Sequence, residues 1–318
     1  MILAITVAEK FVQTLAKGLA QGSLYALVAL GFVLIFKATQ TVNFAQGAIA
    51  LVGAWFASLL LIDWRIPARW MGDNTYAVWI SSVLLAALMT AGLGLIIERL
   101  VIRRMIGEPL FSIAVITLGL EAIIRTIGFD AVNLNPRSLA FPWGFDGFNV
   151  GEAFISWTYV AIYIATAIAF VSIFYFFRTR LGIAMRAVAF DQEAALAQGI
   201  SVGKVFAVAW GASAGLAAIA GVLSSGAPIG SGTVSAGITG LAFRALPAVI
   251  LGGLDSVNGA LVGGLLIGCA EVFSGEYLAD YTDVLGNGYS LIVPYIVMLG
   301  VLLVRPYGLF GTPEIRRV

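Results

Sequence analysis

The 318-residue chain has no histidine and one cysteine, Cys269. Without imidazoles, and with a lone thiol, neither a zinc site nor axial haem ligation has its usual donors. One thiol also excludes an intrachain disulfide and leaves the redox compartment open. Charge is scarce: Asp, Glu, Lys and Arg make up 11% of residues, 18 basic against 17 acidic. A net charge of +1 says nothing about partners, and no pattern points to nucleic acid. No polar stretch exceeds about 30 residues, too short to build a soluble core of its own. A phosphate loop is missing too, because Gly203-Lys204 runs on into Val205 and lacks the rest of the motif. No nucleophile–base pair stands out. The expectation is a chain that is not an enzyme, with no catalytic residue, no metal and no cofactor of its own.

What is present is apolar surface, 60% of residues. A soluble fold of this size has nowhere to hide it, so the chain reads as an all-α, polytopic integral membrane protein forming one domain over 1–318. Candidate spans lie near 18–36, 42–62, 77–98, 110–128, 154–177, 204–225, 237–253, 258–275 and 289–304. Glycine, Arg244 and Pro247 interrupt 226–257, which is either a full crossing or a re-entrant pair of half-helices. Eight and nine crossings both remain open. Met1 to Ala8 are apolar but short, with no basic region before them and no clear cleavage pattern after, so a removable signal peptide is not expected.

Lysine and arginine set the orientation. One set of loops carries Lys37, then Arg99, Arg103 and Arg104, then Arg178, Arg180, Arg186 and Lys204, then Arg305, Arg316 and Arg317. The other holds Arg65, Arg69 and Arg137, with Lys10 and Lys17 near the start and an acidic segment from Glu276 to Asp283. The richer set is assigned to the cytoplasm, with the C-terminus. Trp64, Trp70, Tyr76 and Trp79, and then Phe141, Trp143, Phe145, Phe148 and Trp157, are expected as interfacial anchors at the other face.

Four-residue glycine spacings, Gly18/Gly22, Gly211/Gly215, Gly259/Gly263 and Gly264/Gly268, predict close helix packing. A faint echo links Val42-Asn43 before Gly47 with Val257-Asn258 before Gly259, each read as an asparagine cap opening a glycine-rich helix.

Charged residues inside apolar spans are costly and mark candidate sites. Glu121 and Arg125, at i,i+4, are read as a pair on one helix face, structural or lining a cavity. Arg244 stands at the broken helix. Glu271 is placed near the outer end of its span. Glu98 is expected to snorkel beside Arg99 at the inner interface. Among polar groups, Tyr25, Asn43 and Gln46 draw attention. Asn43 caps a helix whose N–H groups suit an anion if that helix begins inside the membrane; at the surface it is an ordinary cap.

The segment 186–200 lies between two spans and reads as a short amphipathic helix, with Asp191 and Glu193 near its start and Gly199 ending it. Arg178, Arg180 and Lys204 hold it at the membrane face, and Ala194, Ala195 and Leu196 give it a small, flat surface. It is the handle a membrane subunit offers to a separate soluble engine.

These residues resemble a known family. The run Gly18-Leu-Ala-Gln-Gly22-Ser-Leu-Tyr25-Ala-Leu, followed by Asn43-Phe-Ala-Gln-Gly47, is similar to the opening of bacterial branched-chain amino acid ABC importer permeases of the LivH type. The 186–200 loop is similar to their coupling loop. Leu251-Gly252-Gly253 through Gly264, and Leu302 through Gly311, resemble their late glycine-rich segment and closing motif. The resemblance implies a permease of the bacterial inner membrane, working by alternating access beside a second, related permease. It also implies two cytoplasmic ATPase subunits that bind ATP and Mg, and an extracytoplasmic substrate-binding protein. Arg186, Asp191, Glu193, Ala194, Ala195, Leu196 and Gly199 then couple to the ATPases, and substrate passes near Tyr25, Asn43 and Gln46, with Glu121, Arg125 and Arg244 as further candidates. The expected cargo is a branched-chain or other hydrophobic amino acid. Relatives that carry urea, amides or small aromatic acids, and an ion-coupled carrier dependent on Glu121 or Arg125, are the alternatives.

Overall fold

The computed structural model describes residues 7–72, 74–133, 137–151 and 153–312. Residues 1–6 of the apolar leader, and Arg316 and Arg317 of the basic set, lie outside the described residues. In chain order the elements are α1 (Val7–Thr39), α2 (Gln46–Ser58), α3 (Ile66–Met71), α4 (Thr75–Leu100) and α5 (Leu110–Asn133). A small hairpin follows, β1 (Gly147–Val150) antiparallel to β2 (Ala153–Ser156), with Gly147 opposite Ser156. Then come α6 (Trp157–Phe176), α7 (Arg180–Phe190), α8 (Gln192–Ala197) and α9 (Val202–Ser224). The chain closes with α10 (Gly240–Gly252), α11 (Val257–Tyr277), α12 (Thr282–Leu285) and α13 (Tyr289–Val304). Each of the nine apolar stretches carries a helix.

By length and composition, seven helical segments among the described residues suffice to cross a bilayer. Ala279–Leu285 with Tyr289–Val304, bent by 84°, makes an eighth, and the apolar helix Ala236–Gly252 is shorter. The architecture is that of a multi-pass, all-α membrane protein.

The two sets of loops gather at opposite ends of the bundle. At the basic end, Lys37 Nζ sits 5.1 Å from the Phe177 ring centroid, and Arg103 donates to the Gly203 carbonyl at 3.2 Å. There the N–H groups of Leu309 and Phe310 donate to the carbonyls of Leu251 and Gly252, at 2.8 and 3.0 Å. At the aromatic end, Trp79, Phe141 and Trp143 cluster with ring centroids 5.0–5.7 Å apart, and Trp79 Nε1 donates to the Leu139 carbonyl at 3.0 Å. Lys17–Glu276, at 2.8 Å, and Arg137–Asp63 are ion pairs of the same end.

The interrupted stretch 226–257 runs between the two ends. Val234 N–H donates to the Arg137 carbonyl and Leu139 N–H to the Gly232 carbonyl, both at 2.9 Å, so this part belongs to the aromatic end. The chain then descends irregularly to α10, which finishes against 309–310 at the basic end. Half of the passage is coil and half is helix, because glycines crowd 226–240 and the helix forms only where alanine, leucine and valine take over. The segment holding Arg305 therefore lies at the opposite end from the start of α1.

Helix α1 is apolar on every side, which places it at the centre. Leu24, Tyr25, Ala26, Leu27, Ala29 and Leu30 are all fully buried. Its antiparallel neighbour is α11, and the glycine pairs make the seam. A Cβ on Gly22 would stand 2.7 Å from Leu265 Cα and 2.8 Å from the Gly264 carbonyl oxygen, and Gly268 abuts Gly22 from the other side. Small residues let the backbones touch where a side chain would hold them apart.

The asparagine caps expected at both places are not formed. Asn43 Oδ1 accepts from Ala45 N–H at 3.0 Å in the turn before α2, whose N-cap position is Ala45 with no side-chain cap, and α11 is capped by Ser256, whose Oγ accepts from Gly259 N–H at 3.0 Å. Asn258 already lies inside the first turn of α11, where its side chain is exposed and its backbone is helical.

Candidate functional site

A polar cavity of about 440 Å³ opens beside α1, toward the aromatic end. Lys17, Gln21 and Leu24 of α1 form one wall. Serines and a threonine of the 224–235 segment form another, and Arg244 of α10 with Glu271 and Glu276 of α11 complete it. Lys17 and Glu276 satisfy each other. Glu271 is 9% exposed, and a carboxylate so enclosed requires a donor. Tyr25, fully buried on α1, supplies one: its hydroxyl donates to Glu271 Oε2. Arg244 is within electrostatic range of Glu271 and Tyr25. Among the described residues, no carboxylate lies within ion-pair distance of its guanidinium.

Tyr25 and Arg244 were expected on the pathway, and the structure brings both to this cavity, Tyr25 beneath it and Arg244 in its wall. Glu271, Gln21, Lys17 and Glu276 were not expected there. A signal existed for the α1 wall: Lys17, Gln21 and Tyr25 recur every four residues and so share one helix face. The pairing of Tyr25 with Glu271 spans 246 positions of sequence and left no local trace.

Asn43 and Gln46 lie elsewhere. Gln46 Nε2 donates to the Ser213 carbonyl at 3.3 Å, Ser213 Oγ donates to Gln46 Oε1 at 3.0 Å, and Asn43 Nδ2 donates to Gln46 Oε1 at 3.2 Å. Ser213 is the middle residue of α9, so α2 begins level with the centre of α9 rather than at its end. The start of α10 meets it there, because the Thr239 carbonyl abuts Gly47. Two helices thus begin side by side in the interior and run to opposite ends, the arrangement of discontinuous helices in repeat-built transporters. Asn43 and Gln46, each 1% exposed, are spent on one another and on Ser213; neither lines the cavity.

Glu121 and Arg125 form their i,i+4 ion pair at 2.8 Å, with Arg125 over the Phe129 ring at 5.7 Å. They sit on α5, a helix with little buried surface, and line no part of the cavity. Glu98 does not snorkel. It is 1% exposed and accepts from Arg103 Nε and Nη2 at 3.0 and 2.9 Å, so its partner is Arg103 rather than Arg99. The turn at 102–105 folds Arg103 back over the carboxylate, closing it from solvent.

At the basic end, the 186–200 segment is two helices, not one. Arg186 belongs to α7, and the chain breaks at Asp191, whose extended backbone (ψ 110°) ends α7 and begins α8. Asp191 Oδ1 accepts from Ala194 N–H at 2.9 Å, the bond of an N-cap. Gly199 follows α8 at φ +78°, the left-handed stop expected of a glycine there. Glu193, Ala194 and Leu196 face outward, beside Phe190, which is 94% exposed. Ala195 differs from its expected role: it is 3% exposed and holds α8 against the bundle. Phe190 was missed because its position one residue before the break gave it no place in a helical pattern.

Comparison with known proteins gives a consistent result. Residues 14–302 match the family model described as branched-chain amino acid transport system, permease component. The chain is 30% identical over 314 residues to the high-affinity branched-chain amino acid transport system permease protein BraD of Pseudomonas aeruginosa, covering 97% of this chain and 98% of the relative. It is likewise 30% identical over 320 residues to the protein LivH of Escherichia coli K12, with the same coverage. A probable branched-chain amino acid transport permease protein LivH from Methanocaldococcus jannaschii is 29% identical, over 91% of this chain and 89% of that one. No solved structure matches. Matched from within its first helix into its last, the chain belongs to the family of permease components of branched-chain amino acid transport systems.

Proposed function

We propose that this protein is the membrane-spanning permease of an ATP-driven importer that carries branched-chain amino acids into the cell. The observation that carries the reading is similarity along 97% of this chain and 98% of relatives named for that transport. The geometry supports it. A polar cavity opens toward one end, and α1 beside it is fully buried at Leu24, Leu27 and Leu30. With no phosphate loop in the chain, the force comes from separate ATPase subunits.

In this reading the basic end faces the cytoplasm of a bacterial inner membrane, following the lysine and arginine distribution, and carries the C-terminus. α8 fits a cleft on one of two ATPase subunits, with Arg186, Asp191, Glu193, Ala194, Leu196 and Gly199 shaping the contact. A second permease completes the channel, and a binding protein delivers cargo to the aromatic end. Co-purification from the native membrane followed by reconstitution in vesicles tests it. ATP-dependent leucine uptake by a complex containing the ATPases is the expected result. Uptake by this chain alone, driven by an ion gradient, would overturn the importer reading. Uptake of urea, an amide or an aromatic acid in place of leucine would overturn the cargo.

A further inference from the structure

The cavity beside α1 contains two charged side chains that form no ion pair among the described residues. Lys17 and Glu276 neutralise each other at 2.8 Å. Arg244 lies within electrostatic range of Glu271 but beyond ion-pair distance of any described carboxylate, and the hydrogen bond to Glu271 comes from the hydroxyl of Tyr25. Both are held on apolar helices, Glu271 buried on α11 and Arg244 exposed in the cavity wall on α10, and charged residues on such helices mark function. Glu271 cannot swing away, because Tyr25 fixes one of its oxygens from below. The remaining wall is of two kinds: hydroxyl groups of the 224–235 segment, and an aliphatic patch of Ile229, Ile238, Leu241 and Val272.

We propose that this cavity is a transit site for the free amino acid as a zwitterion, with its carboxylate on Arg244, its ammonium on Glu271, and its branched side chain against the aliphatic patch. A guanidinium presents paired donors that match a carboxylate, and charge-assisted hydrogen bonds of this kind are the strong ones. A molecule with one negative and one positive group cancels both free charges at once. An amide, an ester or urea leaves Arg244 unpaired, and a simple carboxylic acid leaves Glu271 facing no cation. Polar groups left without partners are what lets a site reject an analogue lacking one group, most strongly for the buried Glu271. The volume, about 440 Å³, lies within the usual range for small-molecule sites of about 300–1,000 Å³. This inference rests on the reading of the chain as an amino acid permease. It adds that the permease itself reads the two charged groups of the cargo.

The test uses the whole transport complex in lipid nanodiscs, with the binding protein omitted, and tritiated L-leucine as the probe. Unlabelled leucine, leucinamide and 4-methylpentanoate compete against it. The expected result is that leucinamide, lacking the carboxylate, and 4-methylpentanoate, lacking the ammonium, each compete at least about tenfold more weakly than leucine, a difference of about 1.4 kcal/mol. Arg244→Gln should weaken leucine binding by a similar factor and abolish the preference for leucine over leucinamide, and Arg244→Lys should restore part of both. Equal competition by the three compounds in the wild type overturns the proposal without any variant having to fold. So does the absence of leucine binding in a complex that still takes up leucine with ATP. That last result leaves the importer reading standing, whereas a wild-type complex that transports no leucine at all removes the reading on which the site depends.

Discussion

The hydroxyl of Tyr25 donates to the carboxylate of Glu271 across the seam between α1 and α11. Tyr25 is fully buried and Glu271 is 9% exposed, so the tyrosine hydroxyl has no ready access to water as a substitute. Hydrogen bonds to charged groups contribute about 1.5–3 kcal/mol. Tyr25→Phe should lower the stability of the purified permease by about 2 kcal/mol by that measure. Glu271→Gln should cost less in the Tyr25→Phe background than in the wild type, because the bond is already gone. A double-mutant cycle of unfolding in detergent measures this coupling. Strictly additive effects would mean that the bond contributes nothing.

The same seam distinguishes two kinds of glycine. Gly22 faces backbone at 2.7 Å, whereas a Cβ on Gly119 of α5 meets nothing within 4 Å. Gly22→Ala has to push α1 from α11 and should destabilise by about 1–3 kcal/mol, the usual cost of overpacking. Gly119→Ala should be neutral or stabilise by about 0.5–1 kcal/mol, as alanine is the better helix former. Folded yield and thermal unfolding of the two variants compare them directly. A well-folded Gly22→Ala protein with unchanged stability would contradict the packing described.

Hydropathy located every described helix long and apolar enough to cross a bilayer, because apolar length is a local property. It did not give the depth at which α2 starts. That depends on Gln46 meeting Ser213, a contact 167 positions away. The stretch 226–257 stayed ambiguous for a related reason: its glycines remove the helical pattern, and what holds the coil is pairing with 137–139, another loop altogether. At the site, the α1 face was readable from the spacing of Lys17, Gln21 and Tyr25. Glu271 was recognised as a charge in a span, but its partner could be found only by bringing two distant helices together. Asn43 and Gln46 stood out as polar residues near a helix start, and their polarity turned out to serve each other.

Glu98 and Arg103 give a prediction about the basic end. The carboxylate is 1% exposed, and Arg103 is its one ion-pair partner among the described residues. Removing the cation leaves the buried carboxylate uncompensated, but Arg103 is itself 43% exposed, so the cost should fall below the about 3–5 kcal/mol of a fully buried pair. Arg103→Ala should still destabilise the protein, and Glu98→Gln combined with Arg103→Gln should recover part of the loss. Arg103 also donates to the Gly203 carbonyl in the first turn of α9, just after the α7–α8 segment. Its loss should speed hydrogen exchange in the first turn of α9. Exchange rates there that do not change would show that the bond does not anchor that turn.

The last prediction concerns α8. Gly199 has open space around it, so a side chain there meets no obstacle; the demand is on the backbone, at φ +78°. A residue with a Cβ pays about 1–2 kcal/mol in that conformation, and asparagine pays least. Asp191 caps the other end, and Asp191→Ala should cost about 1 kcal/mol of helix stability. Neither residue touches the core that holds the bundle, so the fold should survive both changes while α8 loses its fixed shape. If α8 transmits the force of ATP hydrolysis, replacing Glu193 and Gly199 together should leave hydrolysis by the reconstituted complex running while leucine uptake falls by about tenfold, the effect of 1.4 kcal/mol. Gly199→Asn alone should retain most uptake, and Gly199→Val should not, because only valine resists the left-handed backbone. Hydrolysis and uptake measured in the same vesicles decide the matter. Uptake unchanged in the double variant would strip α8 of its coupling role and move the search to the neighbouring exposed face at Phe190.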